Sequence, residues 1–414
     1  MEFDDMNELV NLAKVASDNQ DWSQVVYCLQ QFGVSGENDG WEEAIALALT
    51  ALQYGDFHTR WDVAKLLPKL GKSACVPLIE IFEDEAADLE YRWFAGRILG
   101  DFHTPEAIAC LVNFLSSDAD DELIAIAASA LANLGPETVA SLTTLLEDPK
   151  TRLMGVRALS QIRISEVISP LLTVVEDPDP QVRAIAIETL GSFRDDRVIP
   201  ALINALEDHA AIVRSEAVIS LGFRSDIATQ WHLVESIDPL LYDINLTVCQ
   251  QAAMALGRLK TDAAIESLST ILQSSLTPIP LQIACIKALI WMESSAGLDC
   301  IAQCISGFHE TVILETIQLL GRLKTANLKN QAGQMLLDLF RTEHPSLSET
   351  RIKQALAYAL GQLRDAKTME VLQVLQTDVN DSVKFHAIAA IRQLETISTQ
   401  PELSTLPVCE TGNY

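Results

Sequence analysis

The chain has 414 residues, 49% of them hydrophobic but only 6% aromatic, so Ala, Leu and Ile carry an apolar content large enough for a buried core. Its 57 Asp and Glu against 29 Lys and Arg leave a net charge of −28, which argues against nucleic acid or an anionic membrane as partner and favours a basic protein or a cation. The eight Cys are dispersed, no stretch reaches the roughly 18 apolar residues of a membrane span, and MEFDDMNELVNLAK lacks the basic-then-apolar order of a secretory signal, so a reducing cytoplasm is the expected setting.

Residues 1–59 fit no repeat. VASDNQDWSQVVYCLQQF and DGWEEAIALALTAL are predicted helices, begun by Asp21 and by the Asp39-Gly40 turn, that form an N-terminal helical cap. From residue 60 one phrase recurs: RWDVAKLLPKLG from Arg60, YRWFAGRILG from Tyr91, RLMGVRALSQI from Arg152, RAIAIETLG from Arg183 and RSEAVISLG from Arg214. Looser copies start at Gln250, Leu314, Lys353 and Lys384. Leu67, Leu99, Leu131, Leu159, Leu190, Leu221, Leu256, Leu320 and Leu360 share one position, Ile290 and Ile391 fill two more, and most intervals are near 31 residues.

Each phrase predicts a helix of about ten residues, followed by a second apolar-periodic segment such as VISPLLTVVED or VIPALINALED. Two short helices cannot bury their shared stripe alone, so they must stack on the next pair. The predicted fold is all-α, a right-handed solenoid of about ten to eleven hairpins over residues 60–395 behind the cap. The acidic-Pro turns read as helix starts: Asp179 caps and Pro180 takes the first helical position, and Asp148-Pro149 is expected to do the same one repeat earlier. Gly191, Gly222, Gly257, Gly321 and Gly361 follow the last periodic Leu and provide either a left-handed stop or a close approach. The interval widens to 35 residues before Leu256, a possible change of curvature near 225–248, and to 40 before Leu360, across the polar segment FRTEHPSLSET. Residues 396–414 lack periodicity and are expected to be a flexible tail.

The acidic-Pro turn, Val-Arg, Ala-rich run, Leu-Gly and Ile-Pro-x-Leu resemble the short HEAT-like repeats of the cyanobacterial phycobilisome-lyase group, over residues 60–395 and best between 91 and 224. The resemblance implies a scaffold-type member of that group, with a place in phycobilisome biogenesis or cofactor-protein assembly. It also admits a lyase or isomerase subunit that presents phycocyanobilin to an apoprotein Cys, and a partner of an A-type iron-sulfur carrier.

Two features could bind a protein. Glu83, Asp84 and Glu85, then Asp118, Asp120 and Asp121, then Glu176, Asp177 and Asp179 occupy equivalent turns. Stacked helices lie about 8–10 Å apart, close to the roughly 8 Å screening length at physiological salt, so these clusters form either an acidic rail or a series of solvated caps. Tyr91, Arg92, Trp93, Arg97, Phe102 and His103, with Arg60 and Trp61 upstream, form an aromatic-basic phrase of the kind that anchors interfaces. GDFHT occurs at both 55–59 and 100–104, placing Phe57 and His58 in a position resembling Phe102 and His103. The alternative for these residues is core packing by Trp93 and a ladder of Arg side chains with the Asp turns. Cys300 and Cys304, one helical turn apart, and Cys285 are weak metal candidates that read better as buried apolar side chains. No nucleophile elbow, P-loop, HExxH or dinucleotide fingerprint is present, so no catalytic residue, cofactor or metal is expected.

Overall fold

The computed structural model describes residues 6–35, 41–115 and 120–398. Two compact units make up the chain, Met1–Ala201 and Leu202–Tyr414. The described residues form helices and short 3-10 turns with no strand, an α-solenoid built of ten helical hairpins and a last single helix.

The first unit opens with α1 (Met6–Asp18), α2 (Trp22–Ser35) and α3 (Trp41–Tyr54), which pack on one another. The backbone N–H of Gln24 donates to Asp21, the expected start of α2; Asp39 and Gly40 lie outside the described residues. The repeats follow as α4 (Phe57–Leu66) with α5 (Cys75–Glu83), α6 (Leu89–Leu99) with α7 (Pro105–Leu115), α8 (Asp121–Leu134) with α9 (Pro136–Thr144), and α10 (Arg152–Gln161) with α11 (Ile168–Leu172). Next come α12 (Pro180–Gly191) and α13 (Ile199–Asn204), within which the unit ends. First helices stack on first helices, α4 on α6 through to α10 on α12, while α5, α7 and α9 form a second layer.

The second unit repeats this plan with α14 (Ala211–Gly222), α15 (Leu233–Ile237), α16 (Leu246–Leu259), α17 (Asp262–Gln273), α18 (Ile279–Trp291), α19 (Ser295–Cys304), α20 (Glu310–Leu320), α21 (Ala326–Arg341), α22 (Thr350–Leu363), α23 (Met369–Gln376) and α24 (Asp381–Ser398). Here α14, α16, α18, α20, α22 and α24 stack in series. The wide interval before Leu256 is the second limb of one hairpin, two 3-10 turns around α15, with His232 in the left-handed region at φ 49°. The interval before Leu360 is taken up by the 16 residues of α21 and by a 3-10 turn, Pro345–Ser348, capped by the buried His344 and containing the buried Ser346. Helix α24 ends at Ser398, and residues 399–414 of the expected tail lie outside the described residues.

All nine repeated Leu are fully buried, each worth about 1.5–3 kcal/mol relative to exposure. The register at residue 290 differs from expectation. Gly100, Gly222, Gly257, Gly321 and Gly361 face Ala130, Ala255, Ala288, Ala359 and Ala390 of the following helix. Ala288 is therefore the counterpart of Ala255, and Leu289, fully buried, holds the Leu position. Ile290 stands where other repeats carry Gly.

That contact also decides the role of these glycines. None has a positive φ; the left-handed residues at the ends of α16 and α22 are Lys260 and Arg364. A Cβ on Gly257 would sit 2.7 Å from that of Ala288, so the glycine is there for close helix approach.

The acidic turns follow a three-residue scheme. In Asp177-Pro178-Asp179, Asp243-Ile244-Asn245 and Asp378-Val379-Asn380 the first carboxylate accepts the backbone N–H of the third residue, and the third side chain caps the coming helix. The other oxygen of the first Asp receives a cation from the preceding repeat: Arg152 for Asp177, Arg214 Nε for Asp243 at 2.7 Å, with Nη2 donating to the first oxygen as well, and Lys353 for Asp378 at 2.6 Å. Six residues after the Asp, a side chain returns to its main-chain carbonyl, from Arg183 to Asp177, Arg214 to Asp208 and Cys249 to Asp243. Asp148-Pro149 departs from expectation. Asp148 accepts from Lys150 N–H in a tight turn, and α10 begins later, at Arg152, without a side-chain cap.

Two measurements check this packing. Gly257→Ala loses about 1–2 kcal/mol in urea unfolding although Ala favours helix, because the methyl overpacks the Ala288 contact; Gly307→Ala, with nothing within 4 Å of the added carbon, leaves stability unchanged. Asp243, held below the usual carboxylate range by the Arg214 hydrogen bonds, supports the fold above its ordinary pKa and loses that support as pH falls through its depressed value. Asp243→Asn costs about 2 kcal/mol at neutral pH and flattens the acid limb of the stability profile.

Candidate interaction surface

Phe57 and Trp61 lie one turn apart on α4, and Trp93 and Phe94 lie beside them on α6. Their rings meet edge to face: Trp61 is 5.5 Å from Phe94 and 6.2 Å from Trp93, and Phe57 is 6.2 Å from both Trp61 and Phe94. Phe94 is fully buried, the two indoles are half-buried and Phe57 is 58% exposed. Phe94 thus fixes the base of the cluster in the core while its outer rim faces solvent. On the neighbouring N-terminal helices Trp22 stacks with Tyr54 at 6.4 Å. Tyr91 lies buried nearby, its hydroxyl pushed up to about 12 by burial, with a further rise from Tyr54 and an opposing influence from Arg60.

Arg60 holds this end together. Its guanidinium donates to the carbonyls of Gly55 and Gln53 at the end of α3 and faces Glu90 of the next repeat at 2.7 Å. It is a helix-end clamp as well as the cationic member of the cluster.

The remaining expected residues separate. Arg92 turns inward to donate to the Phe82 carbonyl, with its guanidinium 5.8 Å from the Phe114 ring centre. Arg97 lies one turn beyond Trp93 and pairs with Asp101 at 3.4 Å. Phe102 is in the core, and His103, at the opposite edge of the hairpin, meets Glu137 at 3.0 Å. The repeated GDFHT does not mark equivalent places: Asp56 caps the start of α4, whereas Gly100–Thr104 follows the end of α6. Phe57 is therefore exposed where Phe102 is buried. Secondary structure overrides the identity of five residues.

Along the inter-repeat edge, Glu83, Asp84, Glu85, Asp120, Asp121, Glu176 and Asp179 are exposed. Asp120 and Asp179 also cap their own helices through Glu122 and Gln181 N–H, and Asp84 accepts from Ala86 N–H. A cap uses one oxygen and leaves the charge at the surface. Asp177 is different: buried beneath Arg152, it belongs to the ladder and offers no free carboxylate. Asp118 lies outside the described residues.

Cys285 is fully buried and its thiol is pushed far up by that burial. Cys300 and Cys304 are half-buried, and burial followed by the neighbouring Cys300 raises the Cys304 thiol. His309 spends its Nδ1 on the Thr311 N–H as the cap of α20. Among the described residues no three His, Cys, Asp or Glu side chains converge as metal ligands, and no helix is long and apolar enough to cross a membrane.

Sequence inspection passed over Trp22 and Tyr54, whose stacking depends on two N-terminal helices with no repeat signature. It also passed over a groove of about 470 Å³ in the second unit, rimmed by the exposed Tyr242, Ile244 and Leu276. The usable signal there was the loss of acidic residues from the turn SSLTPIP.

Residues 76–150 and 139–222 match the family profile of HEAT repeats. Among solved structures, YibA of E. coli is 20% identical over 67% of this chain and 98% of that one, with a TM-score of 0.44. Human deoxyhypusine hydroxylase is 19% identical over 62% and 96%, at 0.27. The Kap95:Nup1 complex aligns over 93% of this chain and 62% of that one at 14% identity, with a TM-score of 0.54. The likeness to the Kap95:Nup1 complex concerns the fold alone, and no curated protein matches the chain.

The buried phenol gives a direct check on the geometry of this end. Because the folded pKa of Tyr91 is about 12 against an ordinary 10.0, its burial supports the fold fully below the ordinary value, and the support is lost as pH rises toward the folded one. Tyr91→Phe removes the latest tyrosinate step in an ultraviolet pH titration and lessens the alkaline loss of stability.

Proposed function

We propose that this chain is a non-catalytic scaffold that holds a protein partner with a basic surface, and that it does so with the rim of the first unit. The observation that carries this reading is the half-exposed pair Trp61 and Trp93 on a fixed Phe94 base, on helices whose connecting segment carries the exposed carboxylates of Glu83, Asp84 and Glu85. Aromatic rings already locked by neighbours lose little freedom on binding and serve as anchors. Carboxylates spaced by one repeat steer a cationic partner.

The resemblance to the phycobilisome-lyase group supplies the finer proposal, a partner from phycobilisome biogenesis or cofactor-protein assembly. Attachment of a bilin and delivery of an iron-sulfur cluster rest on that resemblance only, and no site described above favours either.

Affinity capture from native lysate tests the scaffold reading with three baits: the natural chain, Trp61→Ala with Trp93→Ala, and Glu83→Gln with Asp84→Asn and Glu85→Gln. The natural chain is expected to retain a basic protein in stoichiometric amount. The aromatic variant loses it, since anchors of this kind are worth about 2 kcal/mol or more each, and the amide variant retains less and responds less to added salt. Equal recovery by all three baits refutes the assignment.

A further inference from the structure

The second unit carries a different kind of surface. Residues 310–398 hold ten acidic and ten basic residues, so the whole net charge of −28 belongs to the rest of the chain. Within this neutral stretch a pocket of about 380 Å³ opens where α20, α22 and α24 stack.

Its polar lining comes from three successive repeats: Gln318 and Arg322 at the end of α20, Arg351, Gln354 and Tyr358 on α22, and His386 on α24. The ladder cations are neutralised, Arg152 by Asp177, Arg214 by Asp243 and Lys353 by Asp378. Arg97 on α6, whose register matches Gln318, is balanced by Asp101 one turn on. Arg322 takes the register of that Asp101. Both Arg322 and Arg351 are exposed, and among the described residues neither meets a carboxylate or an internal hydrogen-bond acceptor. His386 is oriented: its Nδ1 lies 2.7 Å from the Ser382 carbonyl. A carbonyl only accepts, so Nδ1 carries the proton, and in the neutral ring Nε2 is left at the pocket as an acceptor for a ligand hydroxyl.

We propose that this pocket binds the phosphate of an organic phosphate monoester. Two guanidinium groups from neighbouring helices match a doubly charged group, and with the amide N–H groups of Gln318 and Gln354 they offer donors from several directions. A tetrahedral phosphate with three terminal oxygens uses these donors more fully than a planar carboxylate with two. Leu314 and the ring of Tyr358 supply apolar surface for the organic substituent. The ester can be a phosphorylated side chain of a protein or a free small molecule, because both present the same group.

Calorimetric titration of the full chain tests this, with phenyl phosphate and a short phosphotyrosine peptide as probes. Phenyl phosphate is expected to bind, benzoate about tenfold more weakly, and Arg322→Gln with Arg351→Gln to weaken phenyl phosphate by at least about tenfold. Arg341→Gln, which removes an exposed cation outside the pocket, leaves binding unchanged, and the melting temperature shows that the pocket variant is folded. A peptide that binds more tightly than phenyl phosphate identifies a protein-borne ester; one that binds equally or more weakly identifies a small molecule. Absence of binding of both probes at millimolar concentration, or equal binding by the double-arginine variant, overturns the proposal. Because Trp61 and Trp93 lie in the other unit, loss of partner capture there and loss of phosphate binding here are separate results.

Discussion

A short helix leaves four N–H groups at its start and four carbonyls at its end without partners, and a chain made of short helices must solve that problem at every turn. At three of its turns this protein solves it with one residue placed between two repeats. In Asp177, Asp243 and Asp378 one oxygen organises the turn and the other takes a cation sent forward by the preceding repeat. The main-chain carbonyl of Asp177 or Asp243 is served by the side chain six residues later. The turn, the start of the next helix and the link to the previous one are therefore a single polar network. Such a network is costly to leave half satisfied, which explains why its turn, cap and cation occur together where this Asp is present.

The apolar layer has an equally local rule. Glycine at the end of one first helix admits the alanine of the next at contact distance, and the fully buried Leu between them fills the remaining space. Ile290 breaks the glycine rule, and by register the facing residue is Leu319 instead of Ala, so both sides of that junction are enlarged together. Repeats remain individually adjustable because each packs only on its neighbours.

Charge is distributed by the same logic. Acids that serve the ladder, such as Asp177, are withdrawn from the surface, while those one or two residues away, such as Glu176 and Asp179, remain exposed. The first unit thus presents an acidic edge beside a rigid aromatic rim. The C-terminal repeats, with balanced charge, leave Arg322 and Arg351 uncompensated at a pocket. Neighbour-to-neighbour construction lets one chain carry surfaces of opposite character.

The period, the Asp179-Pro180 helix start and nine buried Leu positions were legible in the sequence because they follow from local chemistry: apolar spacing, capping at a helix start, and the need of short hairpins to stack. The all-α solenoid follows from these alone. What only the tertiary structure decided is which side chains spend themselves inside. Asp177 and Asp179 are two residues apart and chemically identical, yet one is buried beneath Arg152 and the other caps in the open. GDFHT occurs twice, and its Phe is exposed in one place and buried in the other, because one copy begins a helix and the other follows one. The same holds for Phe57, Tyr54, Trp22 and the Arg322–Arg351 pocket, whose members come from separate helices. Periodicity fixes the face of a helix a residue occupies; its partners on that face are set by the neighbouring repeat, and the two are joined only when the chain stacks.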